Sequence, residues 1–214
     1  MDEETIIIDT NTRNEKIKNF FIENKKRFII IISITIILLI TFFSYYEIRK
    51  KNKINLANQF NSIILDFEIR QKSETAIELK KIINKQDNTY SPLALYFLLD
   101  NNLIESKDEI NYLFDILINE IRLEKEIKNL IIYKKALFNS DFVSENELIQ
   151  MLNPIINSES VWKSHALYLV GEYFYSKNEK EKAKNFFNEI LTLTKVNVDI
   201  KLQSQKRINR DFSE

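Results

Sequence analysis

Cysteine is absent from this 214-residue chain, and glycine, proline and histidine are scarce, at one, two and one residues. Without cysteine the chain forms no disulfide, performs no thiol catalysis and offers no thiolate ligand to a metal. So little glycine and proline argues against β-hairpins, glycine-rich phosphate loops and long disordered linkers. Basic and acidic residues are balanced at 31 each, so no basic excess points to nucleic acid. An all-α protein is the natural interpretation of these absences.

One stretch of nineteen residues, 28–46, carries no charge and reads FIIIISITIILLITFFSYY. As a helix it would be about 28 Å long, close to the roughly 30 Å hydrocarbon core of a bilayer. A buried core helix would show a polar stripe, which this stretch lacks. A signal peptide would be followed by small residues, whereas the stretch ends and continues as YYEIRKKNK. The stretch is therefore predicted to be an uncleaved transmembrane helix. The proposed anchor residues are Phe28, Leu38, Leu39, Phe42, Phe43, Tyr45 and Tyr46.

Residues 1–27 are expected to form a cytoplasmic leader. Its first twelve residues are acidic, and 13–27 have either the pattern of an amphipathic helix on the membrane surface or simply a charged flank. Six lysines and arginines precede the span within about 15 residues, and four follow it: Arg49, Lys50, Lys51 and Lys53. This small difference favours a cytoplasmic amino terminus and a domain on the other side of the membrane.

The rest of the chain has the pattern of a helical repeat domain. A basic juxtamembrane linker, 47–55, is followed by predicted repeats over 56–195 and by a final helix and tail over 196–214 that cover the end of the stack. Ser106, Ser144 and Asn178 each precede a glutamate by three positions, as in a helix capping box, and they lie 38 and 34 residues apart. This spacing indicates a repeating helical hairpin of about 34 residues. An irregular helical bundle remains the alternative.

The last unit resembles a tetratricopeptide repeat. That repeat has a small residue, an aromatic three positions later, alanine at twelve and a large residue at sixteen. Gly171, Phe174, Ala183 and Phe187 have this spacing. The two small residues would let the helices cross closely, and the two rings would fill the space around the crossing. The earlier units keep the spacing and lose the small residues.

Three segments resemble the ancillary subunit of the bacterial Sec translocon, the YfgM-like proteins, whose domain is related to that of a cell-division coordinator. The segments are IKNFFIENKKR, DNTYSPLALYFLLDNN and WKSHALYLVGEYFYSKNEKEKAKNFFNEIL. The resemblance implies a single-pass protein of the bacterial inner membrane with a periplasmic tetratricopeptide-like domain. It also implies a non-enzymatic role beside the translocon, passing secreted chains to periplasmic chaperones. The sequence departs from the family in having few small residues in its middle repeats.

No catalytic, cofactor-binding or metal-binding residues are predicted, and no enzyme activity, cofactor, nucleic acid or small-molecule substrate is expected. His165 is the only histidine, and it is interpreted as an ordinary surface or packing residue. Carboxylates alternate with lysines, as on a solvated helix face. The expected partners are membrane lipid and other proteins. An assembly factor for a division, respiratory or cofactor complex, an enzyme accessory and a structural spacer remain open as alternatives.

Binding is expected on the first helix of each hairpin, which such repeats expose on a concave surface. The first helices are predicted over 93–103, 127–138 and 162–175. Aromatic rings and lysine stems offer broad contacts to an unfolded segment. Trp162 with Tyr168, Tyr173 and Tyr175 is a candidate cluster for such contacts, and packing within the hairpins is the alternative role for its rings. The candidate peptide groove consists of Tyr96, Tyr133, Lys134, Lys163, Tyr168 and Tyr175.

Overall fold

A computed structural model describes residues 15–212, and within this range the chain contains helices and turns but no strand, which confirms the all-α expectation. Residues 1–14 and 213–214, part of the predicted leader and tail, lie outside the described range. The helices are α1 (15–23), α2 (Lys25–Leu65), α3 (Lys72–Ile83), α4 (Tyr90–Asp100), α5 (Lys107–Asp115) with a π segment (Ile116–Glu120), α6 (Lys125–Asn139), α7 (Glu145–Ile156), α8 (Lys163–Ser176), α9 (Lys180–Thr192) and α10 (Val198–Asp211).

Helix α2 is 41 residues long, and its apolar part is long and apolar enough to cross a membrane. It contains no glycine or proline that would end it, and it continues through the basic residues 47–55. The proposed anchor residues lie on it, all exposed except Phe28, which is partly exposed. The hydroxyl of Thr35 donates to the Ile31 carbonyl at 2.9 Å, and that of Thr41 donates to the Ile37 carbonyl at 2.5 Å. Both hydroxyls therefore have their hydrogen-bond partners within the helix.

The chain divides into two compact units between Asn55 and Leu56. The second unit contains two hydrophobic clusters. One joins the end of α2 to α3, α4, α5 and the beginning of α6, and the other joins α6 to α7, α8 and α9. Partly buried side chains of α10, including Ile200 and Ile208, pack against the second cluster. The final helix therefore covers apolar surface of the preceding hairpin.

Helices α8 and α9 form the tightest hairpin of the unit. Gly171 lies at their crossing, where an added Cβ would stand 2.7 Å from Cε1 of Phe187. Phe174, Ala183 and Phe187 are all buried around this point. The matching position one hairpin earlier is Leu137, which is 48% exposed and takes no part in such a crossing.

Two of the three predicted capping boxes begin helices. Ser144 accepts from the Glu147 amide at 3.4 Å, and the Glu147 carboxylate accepts from the Ser144 amide at 2.8 Å. Ser106 makes only the first half of this arrangement, accepting from the Glu109 amide at 3.3 Å, because the Glu109 carboxylate binds Lys80 instead.

The prediction of a third capping box, at Asn178, is wrong. Helix α9 begins at Lys180, and Asn178 has a φ of 64°, in the left-handed region. The amides of Asn178 and Glu179 donate back to the carbonyls of Tyr175 and Phe174, at 3.0 and 2.9 Å. Asn178 therefore ends α8 with the pattern of a Schellman motif rather than beginning α9.

The predicted bounds of α4 also need correction. This helix was predicted over 93–103, but it spans Tyr90–Asp100. Pro92 is its third residue, still in the first turn, where a missing amide breaks no helical hydrogen bond. The early end follows from Asn102, whose φ of 50° turns the chain out of the helix.

Candidate protein-binding surface

Every second helix from α4 to α10 contacts the next one in this series through polar or aromatic side chains. We call these four helices, α4, α6, α8 and α10, the first-helix row. Lys134 of α6 lies 4.6 Å from the ring centre of Tyr96 on α4. Tyr133 of α6 meets Trp162 at the start of α8. The α10 guanidinium of Arg207 binds both oxygens of Glu172 on α8. The row therefore forms a continuous series of side-chain contacts.

The only tryptophan and the only histidine meet in this row. Trp162 stacks on Tyr133 at a centroid distance of 6.0 Å and an angle of 19°. His165 lies 5.0 Å from Trp162 and 5.8 Å from Tyr133. All three rings are half-buried, so their remaining surface faces solvent. We call Tyr133, Trp162 and His165 the ring cluster.

The loop before α8 is held in place by a carboxylate of α6. Oε2 of Glu126 accepts from the Ser160 hydroxyl at 2.7 Å and from the Val161 amide at 3.2 Å. The Trp162 amide in turn donates to the Ser160 hydroxyl at 3.1 Å. Because Ser160 is buried, this network fixes the backbone from which Trp162 projects.

Three buried side-chain polar atoms have no hydrogen-bond partner among the described residues, and all three belong to the first-helix row. They are the hydroxyl of Tyr96, the amide nitrogen of Asn129 and Nδ1 of His165. Burial raises the pKa of Tyr96 to about 12 and lowers the pKa of His165. Buried polar groups without partners cost stability, and they concentrate at sites that serve a function.

The predicted groove residues fall into two groups. Tyr96, Tyr133 and Lys134 lie together around α6. Tyr168 and Tyr175 instead pack toward α9 and α10, Tyr168 against Phe187 and Tyr175 against Phe212 and Arg207. Lys163 is half-buried at the first position of α8.

Among the four rings of Trp162, Tyr168, Tyr173 and Tyr175, Tyr173 has the packing role that was the alternative to binding. It is buried in the hairpin, donates to the Val143 carbonyl at 3.1 Å and does not belong to the ring cluster. His165 was not among the binding residues predicted from the sequence. The signal that could have found it is the spacing of Trp162 and His165, three positions apart and so on one helix face.

A shallow depression lies between α8 and α10, and sequence reasoning missed it because α10 was interpreted only as a cover for the stack. Its lining residues are Tyr168, Gln203, Lys206, Arg207 and Arg210. The α10 members recur at helical spacing, which was available as a signal. Burial, then a hydrogen bond to Glu172, raises the pKa of Tyr168. The depression thus presents cationic and hydrogen-bonding groups beside an uncharged phenol.

No family model, curated protein or solved structure matches this chain. Within residues 15–212, no three histidine, aspartate or glutamate side chains gather as a metal would require.

Proposed function

We propose that this protein is a membrane-anchored scaffold without enzymatic activity that binds extended polypeptide segments on its first-helix row. The observation that carries the proposal is the ring cluster, three half-buried aromatic rings held on a fixed loop beside buried polar atoms that lack partners. Rigid rings with polar tips supply large contact area at low entropic cost, and they are common at protein interfaces. The apolar part of α2 supplies the anchor.

The particular partner proposed is the Sec translocon of the bacterial inner membrane, with chaperones or secreted chains as the periplasmic partners. This part of the proposal is supported by the three quoted segments that resemble the translocon's ancillary subunit. It includes a cytoplasmic amino terminus and a periplasmic domain, supported by the small excess of basic residues before the span.

A photo-crosslinking residue in the ring cluster tests the binding role. Placed at Tyr133 in the full chain in native membranes, it is expected to trap polypeptide partners identifiable by mass spectrometry. The matched control is Tyr112, a tyrosine of α5 that is 62% exposed. Translocon subunits or secreted chains among the Tyr133 products would support the proposal. Equal products from both positions would contradict binding on the first-helix row, and division or respiratory assembly proteins would redirect the scaffold to those complexes.

The absence of cysteine makes the orientation easy to test. Single cysteines replace Lys18 in α1 and Asn188 in α9, both exposed positions. A maleimide that does not cross membranes is expected to label position 188 in intact spheroplasts and position 18 only after lysis. The reverse pattern would place the domain in the cytoplasm and remove the periplasmic role.

A further inference from the structure

Charge is distributed unevenly over the helices of the second unit, although the whole chain is neutral. The four helices of the first-helix row contain nine lysines and arginines against five aspartates and glutamates, a net charge of +4. Helices α5, α7 and α9 with the π segment contain four against eight, a net charge of −4. Three of these nine cations, Lys135, Arg207 and Arg210, are paired with carboxylates, so an anionic partner is attracted mainly by the other six.

Three of the row's five carboxylates, Glu126, Glu172 and Asp211, are held by nearby donors, whereas several of its cations have no carboxylate partner. Glu126 accepts from Ser160 and Val161, and Glu172 is paired with Arg207. Lys163 and Lys206 have no carboxylate within 4.0 Å among the described residues. These ammonium groups remain available to an anionic partner.

The ring cluster and the cationic depression stand at a separation that suits a linear chain. Trp162, just before α8, and Tyr168 within it are six residues apart, which is a rise of about 9 Å along the helix axis and a turn of about 120° around it. Crossing the helix surface adds about 10 Å sideways, so an extended polypeptide covers the whole distance in about four residues, at about 3.3 Å each. One bound segment can therefore place an apolar side chain on the rings and a carboxylate in the depression.

We infer that the polypeptide bound by the first-helix row is acidic, with an Asp or Glu about four residues from an apolar or aromatic residue. Lys206, which has no carboxylate partner, and Gln203 receive the carboxylate, beside Arg210, whose guanidinium also pairs with Asp211, and the ring cluster receives the apolar side chain. This inference rests on the proposed function and specifies the chemistry of the partner. A charge-assisted hydrogen bond to the carboxylate supplies selectivity over the matching amide.

The test uses the full chain in phosphatidylcholine nanodiscs and dye-labelled peptides of twelve residues. One peptide has a phenylalanine followed about four residues later by Asp-Glu, a second has Asn-Gln in their place, and a third has the acids directly beside the phenylalanine. Binding is measured by anisotropy and by the fluorescence of Trp162, the only tryptophan. The first peptide is expected to bind roughly tenfold more tightly than the second, and with an affinity that falls with added salt.

The variant is Lys206→Gln with Arg210→Gln, and the control is Lys180→Gln with Lys184→Gln, which removes two lysines at the same spacing from α9. The preference for the acidic peptide is expected to disappear in the first variant and to persist in the control. Equal binding of the acidic and amide peptides to wild type would overturn the inference and leave the proposed function standing. Absence of any peptide binding, together with failed crosslinking at Tyr133, would overturn both.

Anionic lipid is the remaining alternative for the depression. The same nanodiscs are therefore mixed with phosphatidylglycerol vesicles. Vesicle binding that requires Lys206 and Arg210, in the absence of acidic-peptide binding, would assign the depression to lipid headgroups and overturn the inference. Equal vesicle binding by wild type and variant, with the peptide preference intact, supports it.

Discussion

Two asparagines occupy the left-handed positions after helices where most helical proteins have glycine. Asn102 and Asn178 follow α4 and α8 with φ values of 50° and 64°. In each case the amide of the asparagine and the amide after it donate to carbonyls of the preceding helix, as Leu103 does to the Leu98 carbonyl at 2.9 Å. Asparagine tolerates the left-handed region better than other residues with a side chain. A chain with a single glycine can therefore still end its helices sharply.

Replacement of Asn178 tests this role. Asn178→Gly is expected to leave the free energy of unfolding unchanged or to raise it slightly, because glycine enters the left-handed region without strain. Asn178→Val is expected to lower the free energy of unfolding by about 1–2 kcal/mol, because a β-branched side chain clashes there. Thermal and denaturant unfolding of the full chain in detergent measure both. Asn188→Val, at an exposed position inside α9, is the control and should cost little.

The one glycine serves close packing instead of a turn. In a helix, Gly→Ala ordinarily stabilises by about 1 kcal/mol. At Gly171 the new Cβ would approach Cε1 of Phe187 to 2.7 Å, and that ring is fully buried and packed against Tyr168 and Phe212. Overpacking costs about 1–3 kcal/mol. Gly171→Ala is therefore expected to lower the melting temperature despite its better helix propensity.

A second substitution separates packing from propensity. Phe187→Leu is itself destabilising, but it removes the ring that the new Cβ would meet. Gly171→Ala in that background is expected to be neutral or stabilising, so the two changes should be strongly non-additive. If Gly171→Ala raises the melting temperature of the otherwise unchanged protein, the crossing is not as close as described.

The stability of the first turn of α7 depends on pH. The Ser144 hydroxyl and then its amide donate to Glu147, and these hydrogen bonds lower the pKa of that carboxyl. A pKa lowered by folding adds stability above the unfolded value near 4.5, and this stability is lost as the pH falls through the folded value. Glu147→Gln is expected to lower the melting temperature at pH 7, with the difference from wild type shrinking as the pH falls below 4.5.

Glu189→Gln on α9 is the control for this titration, because it removes one exposed carboxylate at a position without a capping contact. Its difference from wild type should change little over the same pH range. A Glu147→Gln difference that stays constant on acidification would show that the ionised carboxylate does not hold the α7 cap.

Arg207 is the side chain that contributes most to the attachment of α10 to α8. Arg207 binds Glu172 through two nitrogens, binds Asp211 at 3.0 Å and lies 4.7 Å from the ring centre of Tyr175. Its side chain is only 22% exposed. Arg207→Ala is expected to destabilise the attachment by about 1.5–3 kcal/mol, the range for hydrogen bonds to charged groups. Faster hydrogen exchange of the α10 amides measures the effect.

Arg210 provides the matched comparison on the same helix. It pairs only with its neighbour Asp211 and is 68% exposed, so Arg210→Ala should leave exchange in α10 nearly unchanged. Equal protection of α10 in the two variants would contradict the role assigned to Arg207.

The proposed membrane attachment of the protein depends on the apolar part of α2. Thirteen of its nineteen uncharged residues are Ile, Leu or Phe, each worth about −0.3 to −0.6 kcal/mol for insertion, and a central arginine costs about 2.5–3.5 kcal/mol. Ile36→Arg with Leu39→Arg should therefore cancel most of the favourable energy. The double variant is expected to leave the carbonate-washed membrane fraction.

The control introduces the same charge elsewhere. Ile69 and Ile77 are 87% and 53% exposed in the second unit, and both can become arginine without burying charge. This variant should remain in the membrane fraction. Wild-type protein recovered in the soluble fraction after carbonate washing would show that α2 does not anchor the chain.

The sequence predicted the features that depend on residues near one another in the chain. Uncharged residues 28–46 required a long helix, and apolar spacing with little glycine or proline required an all-α domain. The capping signals at Ser106 and Ser144 were also readable, because a cap forms within four residues. Asn178 was misread because the same local pattern, a polar residue three positions before glutamate, also suits the end of a helix.

The tertiary structure alone decided which side chains from different helices meet. Trp162 joins Tyr133 and His165 because Glu126 fixes the intervening loop, and no spacing along one helix encodes that contact. The depression between α8 and α10 likewise depends on how α10 packs against its neighbours. Local sequence determines the type and length of each helix through hydrophobic pattern and capping. Packing between helices depends on many distant contacts at once, and these bring the candidate binding residues together.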